Sequence, residues 1–525
     1  MDVLILASGK SSRLSKYTHD YFPKFMLNLN KYCFIFYILK YWLKYSKRLF
    51  LVINSKFNKI TNQYINNFFN ENDNIYIINY DSYDGTAYTI NNILNNELNN
   101  YDIKNLLISW CDIYPIENIN FDKINNNDNN NNIFIFTHGD SCRYIYDNNK
   151  IKENENGNIV GIYYFQNFKN FNLDKDCYGK DIVEYLDKIG KIYEIKILKL
   201  IDYGDTNKYN KLLNIDNNDK FICRSFNEMI QNENTLIKKS INEIGNKIMN
   251  FERNFYKFIN NINISNNLFL FPKIYKLYQN GYSMEYLNNY IPVYKVLYKN
   301  DKKYNELIID KILYKLNILH NLKTEKISKI SFLGDLNIEI YSKIKDRINN
   351  IKDIIDHFPK FKKVNGLLIK NFDEVLEKCR KDLFYYYESL DIFEYSIIHG
   401  DTNFSNILID SNDHNNIIFI DPRGYFGKSE ILGLHDYDYS KVLYAIYGYD
   451  KFNNEHFNIE SLNEEEIIFE IPKINISKEF INKKFSKVHH IFVVIIWLGL
   501  AEYNKNNIVK CIISYYYGLY LGTLI

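Results

Sequence analysis

Five short apolar runs, VLILA, RLFLVIN, NIYIIN, NLLISW and NIFIFTH, follow one another between residues 3 and 138, separated by stretches with helical periodicity such as NKITNQYINNFFNE. A run without polar alternation buries both faces, and a strand achieves that inside a sheet covered by helices on either side. Strands that alternate with helices in this way predict an α/β domain on a mostly parallel sheet. The stretch DKINNNDNNNN at 122–132 lacks periodicity and is expected as an Asn-rich surface loop. A second polar punctuation, NIDNNDK at 214–220, follows the end of the pattern. It sets the expected boundary between a domain of residues 1–213 and another of residues 220–525. A chain of 525 residues is also too long for one ordinary core.

Beyond the boundary the character changes. NTLIKKS and GYSMEYLNNY read as strands of a small mixed lobe at 220–300. ELIIDKILYKLNILHNL and EIYSKIKDRINNIKDIIDHF read as long helices of a second lobe at 301–525. The apolar stretch IFVVIIWLGLAEYNKNNIVK meets Glu502 and Lys505 before the roughly 18 residues a membrane span needs, so a core helix is expected and no span. MDVLILASGKSSRL is too short in its apolar part for a signal sequence and reads as a buried first strand. Hydrophobic residues at 46% and charged ones at 24% exclude a disordered chain. A net charge of +2 supplies no field for nucleic acid, so any anion site has to be local. The seven cysteines form no CxxC pair or zinc-ligand cluster, which favours free thiols in a reducing compartment, the cytoplasm.

The tripeptide HGD occurs twice. In IIHGDTNFSNILID, Asp401 and Asn406 are five apart in a loop, and IIFIDPRGYFG then supplies a buried strand running into Asp421. A kinase acting on a hydroxyl needs an aspartate to orient the acceptor and take its proton, and an Asn and a second Asp to hold Mg²⁺ on the phosphates. Asp401, Asn406 and Asp421 fill these roles in order, at protein-kinase spacing. The scheme further requires a strand lysine on the nucleotide phosphates and a helix glutamate to hold it. TLIKKS offers Lys238 or Lys239, with Lys238 preferred, and NKIMNFERNFYKFI offers Glu252. The other HGD, His138 to Asp140, has no Asn five residues on and no strand aspartate after it, so a surface turn or loop edge is expected there.

The N-terminal stretch VLILASGKSSRLSKYTHDYFPKFML runs from a strand into a polar loop containing Gly9 and on to Pro23 and Lys24. A loop at the carboxyl end of a first strand can wrap phosphate oxygens with backbone N–H groups, while Arg13 and Lys24 neutralise charge as pyrophosphate leaves. DGTAYTI, at 84–90, puts a glycine turn at a helix start, where backbone groups could read a base or the nucleotide sugar. ISWCDIYP places Asp112 at a strand end suited to a Mg²⁺ ligand, and LIDYGDTNKYNKL offers Asp202 as a second.

Residues 220–525 resemble the aminoglycoside phosphotransferase and choline kinase family through HGDTNFSN and IDPRG. HDYDYSKVLYAIYGYD and YSKIKDRI resemble its capsule-associated members. The resemblance implies a bilobal, protein-kinase-like α+β domain that phosphorylates a small-molecule hydroxyl with ATP. In it Asp401 is the base, Asn406 and Asp421 hold Mg²⁺, Lys238 and Glu252 serve the phosphates, and His399 props the loop. Residues 1–212 resemble sugar-phosphate nucleotidyltransferases, including choline-phosphate cytidylyltransferases. This implies a Rossmann-like domain in which a phosphomonoester attacks the α-phosphorus of CTP, UTP or GTP. Leu6, Ala7, Gly9, Arg13 and Lys24 would hold the triphosphate, Gly85 and Thr86 the nucleoside, Asp112 and Asp202 the metal, and GIYYF would be the substrate-side strand. The sequence departs from that family at Ser8, at Ser11, where a second glycine is usual, and at the Cys-Asp pair ending in Asp112.

Together the halves imply consecutive steps, phosphorylation of a sugar or amino-alcohol and its activation as a nucleotide-linked donor for glycan decoration, with the intermediate concentrated by fusion. A kinase whose N-terminal domain binds nucleotide without turnover stays open as the alternative. The tyrosine-rich stretches FYYYESLDIFEY and SYYYGLYLG are expected in cores rather than in a cation box. His489 and His490 are expected in packing or at the surface.

Overall fold

The computed structural model describes residues 1–29, 32–70, 73–121, 132–147, 150–166, 177–213, 227–266 and 269–525. The 214–220 boundary stretch and all but the last residue of the 122–132 loop lie outside the described residues. The chain forms two compact units. One comprises Met1–Asn217 with Asp353–Phe358 and Lys505–Ile508, the other Asn218–Lys352, Pro359–Asn504 and Val509–Ile525.

Besides a two-residue pair, Asn28–Leu29 with Tyr32–Cys33, the strands described in the first unit are β1 (Asp2–Leu6), β2 (Arg48–Ile53), β3 (Ile75–Asn79), β4 (Leu106–Trp110), β5 (Ile113–Pro115), β6 (Asn132–Asp147), β7 (Lys150–Gln166), β8 (Lys191–Lys196) and β9 (Leu200–Asp202). Seven form one sheet in the order β8-β6-β7-β4-β1-β2-β3, and β9 pairs with β5. β1 is parallel to β2 and β4, β2 to β3, and β6 to β8. Both faces of the central strands are buried, as continuous apolar runs require. Leu4, Leu6, Phe50, Val52, Leu106 and Ile108 pack with Ala87, Ile90 and Ile93 of the helix Thr86–Asn92, while Val3, Ile5, Leu49, Leu51 and Leu107 fill the opposite face.

The sheet departs from a parallel array at β7, antiparallel to both β4 and β6. β6 and β7 are separated by two residues, a connection short enough only for an antiparallel hairpin. His138–Asp140 lies within β6, where the register shifts between Thr137 and Cys142. The first HGD is therefore part of a strand irregularity and not the expected turn. His138 Nδ1 sits 2.8 Å from the Ile197 carbonyl oxygen.

In the second unit β10 (Asn227–Asn232), β11 (Thr235–Ser240), β12 (Ile274–Tyr278) and β13 (Gly281–Glu285) form an antiparallel sheet in the order β10-β11-β13-β12, with the helix Glu243–Asn266 between β11 and β12 in the chain. Helices dominate thereafter, from Lys302–Asn321 to Ile508–Leu524. The expected long helix over EIYSKIKDRINNIKDIIDHF is broken into a π turn at Ile338–Ser342 and helices Lys343–Asn350 and Lys352–His357. The second break follows Asn349 and Asn350, poor helix formers. The helix Lys487–Tyr503 is buried along most of its length, and among the described residues no single helix is long and apolar enough to cross a membrane. Cys33, Cys111, Cys379 and Cys511 are free thiols, and all four are buried, as is Cys177.

β7 meets β4 with almost no space between them at Gly161, where an added Cβ would fall inside the Trp110 indole. Gly161→Ala is expected to displace Trp110 and to destabilise the first unit by about 1–3 kcal/mol, as overpacking does. Tryptophan fluorescence during urea unfolding checks both effects.

Candidate functional sites

In the first unit the chain runs from β1 outward through β2 and β3, then returns to place β4 on the other side of β1. The carboxyl ends of β1 and β4 lie together, Leu6 opposite Trp110, and the Cys111 N–H donates to the Leu6 carbonyl at 3.2 Å. Such a reversal of strand order leaves a crevice outside the strand ends where α/β sheets bind ligands. The loop after Ala7 and the Cys111-Asp112 pair both start from this point. A Cβ on Gly9 would meet nothing within 4 Å, so internal packing does not require glycine there. Ser11 has φ 58°, the left-handed conformation that glycine favours, and its hydroxyl accepts from the Lys24 N–H at 3.3 Å. The serine thus follows the path expected of the usual glycine.

Lys24 Nζ pairs with Asp112 Oδ2. Burial alone would depress the lysine, but Asp112 more than offsets it and the ammonium is held above its usual range, while nearby Arg13 opposes. Arg13 itself is exposed. β9 lies antiparallel to β5 with Asp202 opposite Ile113, next to Asp112. An added Cβ on Gly204 would stand 3.1 Å from Asp112 Oδ2 and 3.3 Å from Asp202 Oδ1, so the two carboxylates converge on one point. Asp202 also accepts from the Gly204 N–H at 2.8 Å and pairs with Lys208, a residue sequence reasoning passed over. Two carboxylates suit Mg²⁺, which takes one or two from the protein and the rest from phosphates and water. Among the described residues no group of three or more His, Cys, Asp or Glu could hold a metal by itself. Gly85 and Thr86 meet the segment 180–182: the Thr86 hydroxyl donates to Asp181 Oδ1 and accepts from the Ile182 N–H, both at 2.9 Å. A Cβ on Gly85 would strike the Lys180 backbone.

In the second unit, alternation along β11 turns Lys238 inward and leaves Lys239 half-buried. Lys238 Nζ lies 2.8 and 3.1 Å from the Glu252 carboxylate and 3.0 Å from Asp421 Oδ1. The Tyr282 hydroxyl donates to Glu252 Oε2 at 3.0 Å. Asp421 is not borne on a strand: Ile417–Phe419 ends before it, and it adopts φ 57°.

Residues 398–406 link the strands Glu394–Ile397 and Ile407–Asp410. Asn406 Nδ2 donates to Asp401 Oδ2 and to the Asp401 carbonyl, both at 3.0 Å, and Asn403 Nδ2 donates to Asp401 Oδ1 at 3.2 Å. The Ile420 N–H donates to the Asn406 carbonyl at 2.9 Å, which joins this group to the Lys238, Glu252 and Asp421 cluster through the residue before Asp421. Lys441 Nζ pairs with Asp401 Oδ1 at 2.9 Å. Burial opposes the Lys441 charge, but Asp401 raises its pKa overall.

Other groups missed in the sequence hold the loop. Asp438, fully buried, accepts from the N–H groups of His399 at 2.8 Å and Gly400 at 2.6 Å, and pairs with His320 at 3.0 Å. Asp450 accepts from the Phe404 and Ser405 N–H groups at 3.0 and 2.6 Å, and burial lifts its carboxyl to about 6 against those donors. His489 is buried and pairs with Asp436 at 3.1 Å, a partner that local spacing does not reveal.

No protein-family model and no curated protein sequence matches this chain. Solved structures matching its N-terminal part include HddC from Yersinia pseudotuberculosis complexed with GMP-PN, 20% identical over 40% of this chain and 97% of that one, with a TM-score of 0.32. A nucleoside-diphosphate-sugar pyrophosphorylase from Vibrio cholerae is 16% identical over 41% of this chain and 99% of its own, with a TM-score of 0.30. The inositol-1-phosphate CTP transferase from T. maritima is 13% identical over 40% of this chain and 94% of its own, with a TM-score of 0.32.

Glu339 lies beside the loop, paired with Arg423 at 2.5 Å and Lys343 at 2.9 Å. Burial would raise its carboxyl, but the two cations overcome this and hold it at about 2, against 4.5 ordinarily. The folded value lies below the unfolded one, so the stabilisation is complete above about pH 4.5 and disappears as pH falls through about 2. It amounts to about 3 kcal/mol. Glu339→Gln is expected to lower the urea midpoint of the second unit at pH 7 and to flatten its decline between about pH 4.5 and 2. Urea titrations across that range, followed by circular dichroism, test this.

Proposed function

We propose that the chain is a bifunctional activating enzyme of the cytoplasm. The second unit phosphorylates a small-molecule hydroxyl, and the first joins the phosphorylated product to a nucleotide with release of pyrophosphate, supplying a donor for glycan decoration. The observation that carries the proposal is the convergence around residues 399–421: Asp401 bonded to Asn406, and Asp421 paired with Lys238, itself held by Glu252. Two stretches far apart in the chain, 238–252 and 401–421, meet here and carry the residue types that phosphoryl transfer uses, which supports this reading.

In the kinase step Asp401 accepts the proton of the acceptor hydroxyl as that oxygen bonds to the γ-phosphorus of ATP and the bond to the β-phosphate oxygen breaks, leaving ADP. Lys441 pairs with Asp401 Oδ1 at 2.9 Å and holds that carboxylate in place. Lys238, steadied by Glu252 and Tyr282, holds the nucleotide phosphates. Asn406 and Asp421 would hold Mg²⁺ here and Asp112 with Asp202 in the first unit, where the ion supplies neutralisation of phosphate charge when bound. In the transfer step a phosphomonoester oxygen bonds to the α-phosphorus of the second NTP and pyrophosphate departs. Backbone groups from Leu6 to Gly9 hold the triphosphate, Arg13 and Lys24 offset its growing charge, and Gly85 and Thr86 shape the nucleoside side. Support for this half comes from the convergence of Asp112 and Asp202 at the strand-order reversal.

The test supplies ATP, each of CTP, UTP and GTP, Mg²⁺ and a panel of sugars and amino-alcohols, with products identified by mass spectrometry. A nucleotide-linked product is expected from an unphosphorylated acceptor. Asp401→Ala should reduce acceptor phosphorylation by about 10²–10⁴-fold and be rescued by added phosphorylated acceptor, whereas Asp112→Ala should accumulate that intermediate. Formation of the intermediate alone with every NTP would limit activity to the kinase half.

A further inference from the structure

Resting on the kinase reading of the second unit, we infer that Lys441 is a further catalytic residue, whose ammonium donates to the phosphoryl group as it passes from ATP to the acceptor. Phosphoryl transfer spreads negative charge over the three non-bridging oxygens of the group in flight. Cationic donors aimed at those oxygens stabilise the transition state.

The placement of Lys441 is fixed by the fold. It lies three residues after Asp438 on the helix His435–Ile446, so the two side chains share one helix face. Asp438 anchors that face to the 399–406 loop by accepting from the His399 and Gly400 N–H groups, and the Thr402 hydroxyl donates to the Asp438 carbonyl at 2.6 Å. Lys441 Nζ then stands 2.9 Å from Asp401 Oδ1. The two side chains are 14% and 15% exposed, so a ligand can reach both.

Other cations of the site are differently engaged. Lys238 faces three carboxylate oxygens, two of Glu252 at 2.8 and 3.1 Å and Asp421 Oδ1 at 3.0 Å. The Arg423 guanidinium is held by Glu339 at 2.5 Å and by the Tyr437 hydroxyl at 2.9 Å, and stands 4.0 Å from the Tyr425 ring centroid. Lys343 pairs with Glu339. Lys441 differs in touching the base itself. An ammonium has three N–H donors, and among the described residues Asp401 is the hydrogen-bonding partner of Lys441, so donors remain for a ligand.

A reacting hydroxyl oxygen lies about 2.6–3.2 Å from the carboxylate that takes its proton. The same oxygen starts about 3–3.5 Å from the γ-phosphorus. The reacting atoms are thus within two contacts of the carboxylate that Lys441 touches. As the acceptor oxygen bonds to phosphorus and the bond to the β-phosphate oxygen breaks, the acceptor proton goes to Asp401. Lys441 keeps its three protons and donates a remaining N–H to a non-bridging oxygen of the transferred group.

Aluminium fluoride with MgADP mimics the phosphoryl group in transfer and needs no acceptor. The full chain is therefore titrated by calorimetry with MgADP alone and with MgADP plus aluminium fluoride. On the parent chain the fluoride is expected to tighten MgADP binding by about tenfold or more. Lys441→Met and Lys441→Gln should each reduce that gain by about fivefold or more. The glutamine amide can still donate to Asp401 but carries no charge, so a lysine that only holds Asp401 in place would leave the gain intact in Lys441→Gln. The gain is a ratio of two affinities of one variant and does not depend on the fraction folded. A smaller reduction in Lys441→Gln, or no gain on the parent chain, overturns the inference and leaves the kinase reading standing. MgADP binding that is absent, or that Asp421→Ala does not weaken, fails the kinase reading instead.

Discussion

A carboxyl group with no exposure to water, Asp438, sets the course of the 399–406 segment of the second unit. A polar group in such a place is tolerated only when partners surround it, and here the partners are the His399 and Gly400 N–H groups and the His320 ring. The requirement acts in both directions: the carboxylate needs the loop, and the loop cannot leave without stranding the carboxylate. Asp450 imposes the same condition on Phe404 and Ser405. With both ends pinned, the span between them brings Asn406 onto Asp401. His399 completes the clamp as a neutral ring. Its burial depresses protonation, its Nε2 sits 2.9 Å from the Ile420 carbonyl, and its Nδ1 accepts the Asp401 N–H. The loop is thereby tied to the segment that delivers Asp421.

What the sequence disclosed follows from how local each signal is. The central strands were legible because burial on both faces leaves a run with no polar interruption, as in Val3 to Leu6. Asp401 and Asn406 were legible because both lie on one loop and their contact spans five residues. Asp438, Asp450 and Lys441 were not, because each acts on that loop from a distant helix whose spacing to the loop is arbitrary. Lys238 could not be separated from Lys239 without knowing which face of β11 meets the helix carrying Glu252. The antiparallel placement of β7 was hidden because buried strands of either direction present similar apolar runs.

The local departures in the N-terminal loop also find a physical reading. A missing glycine suggests a lost conformation, yet Ser11 adopts φ 58° with its hydroxyl bonded to the segment carrying Lys24. A residue with a short polar side chain enters the left-handed region at a cost of about 1–2 kcal/mol, which one hydrogen bond partly offsets. Backbone geometry, and not the residue type alone, is the feature to compare in such loops.

The two units share one electrostatic device. Asp112, Asp202, Asp421 and Asp401 each pair with a lysine, respectively Lys24, Lys208, Lys238 and Lys441. Carboxylates brought close together repel one another, and an ammonium group beside each offsets that repulsion where burial weakens screening by water. One of these cations, Lys441, and Arg423 lie over tyrosine faces near Asp401. Aromatic abundance therefore says little about ligand choice in this chain, where 48 tyrosines supply faces throughout the core. Whether a ring can receive a ligand cation depends on whether an internal cation already occupies it. That is a property of three-dimensional pairing that no tally of aromatic residues contains.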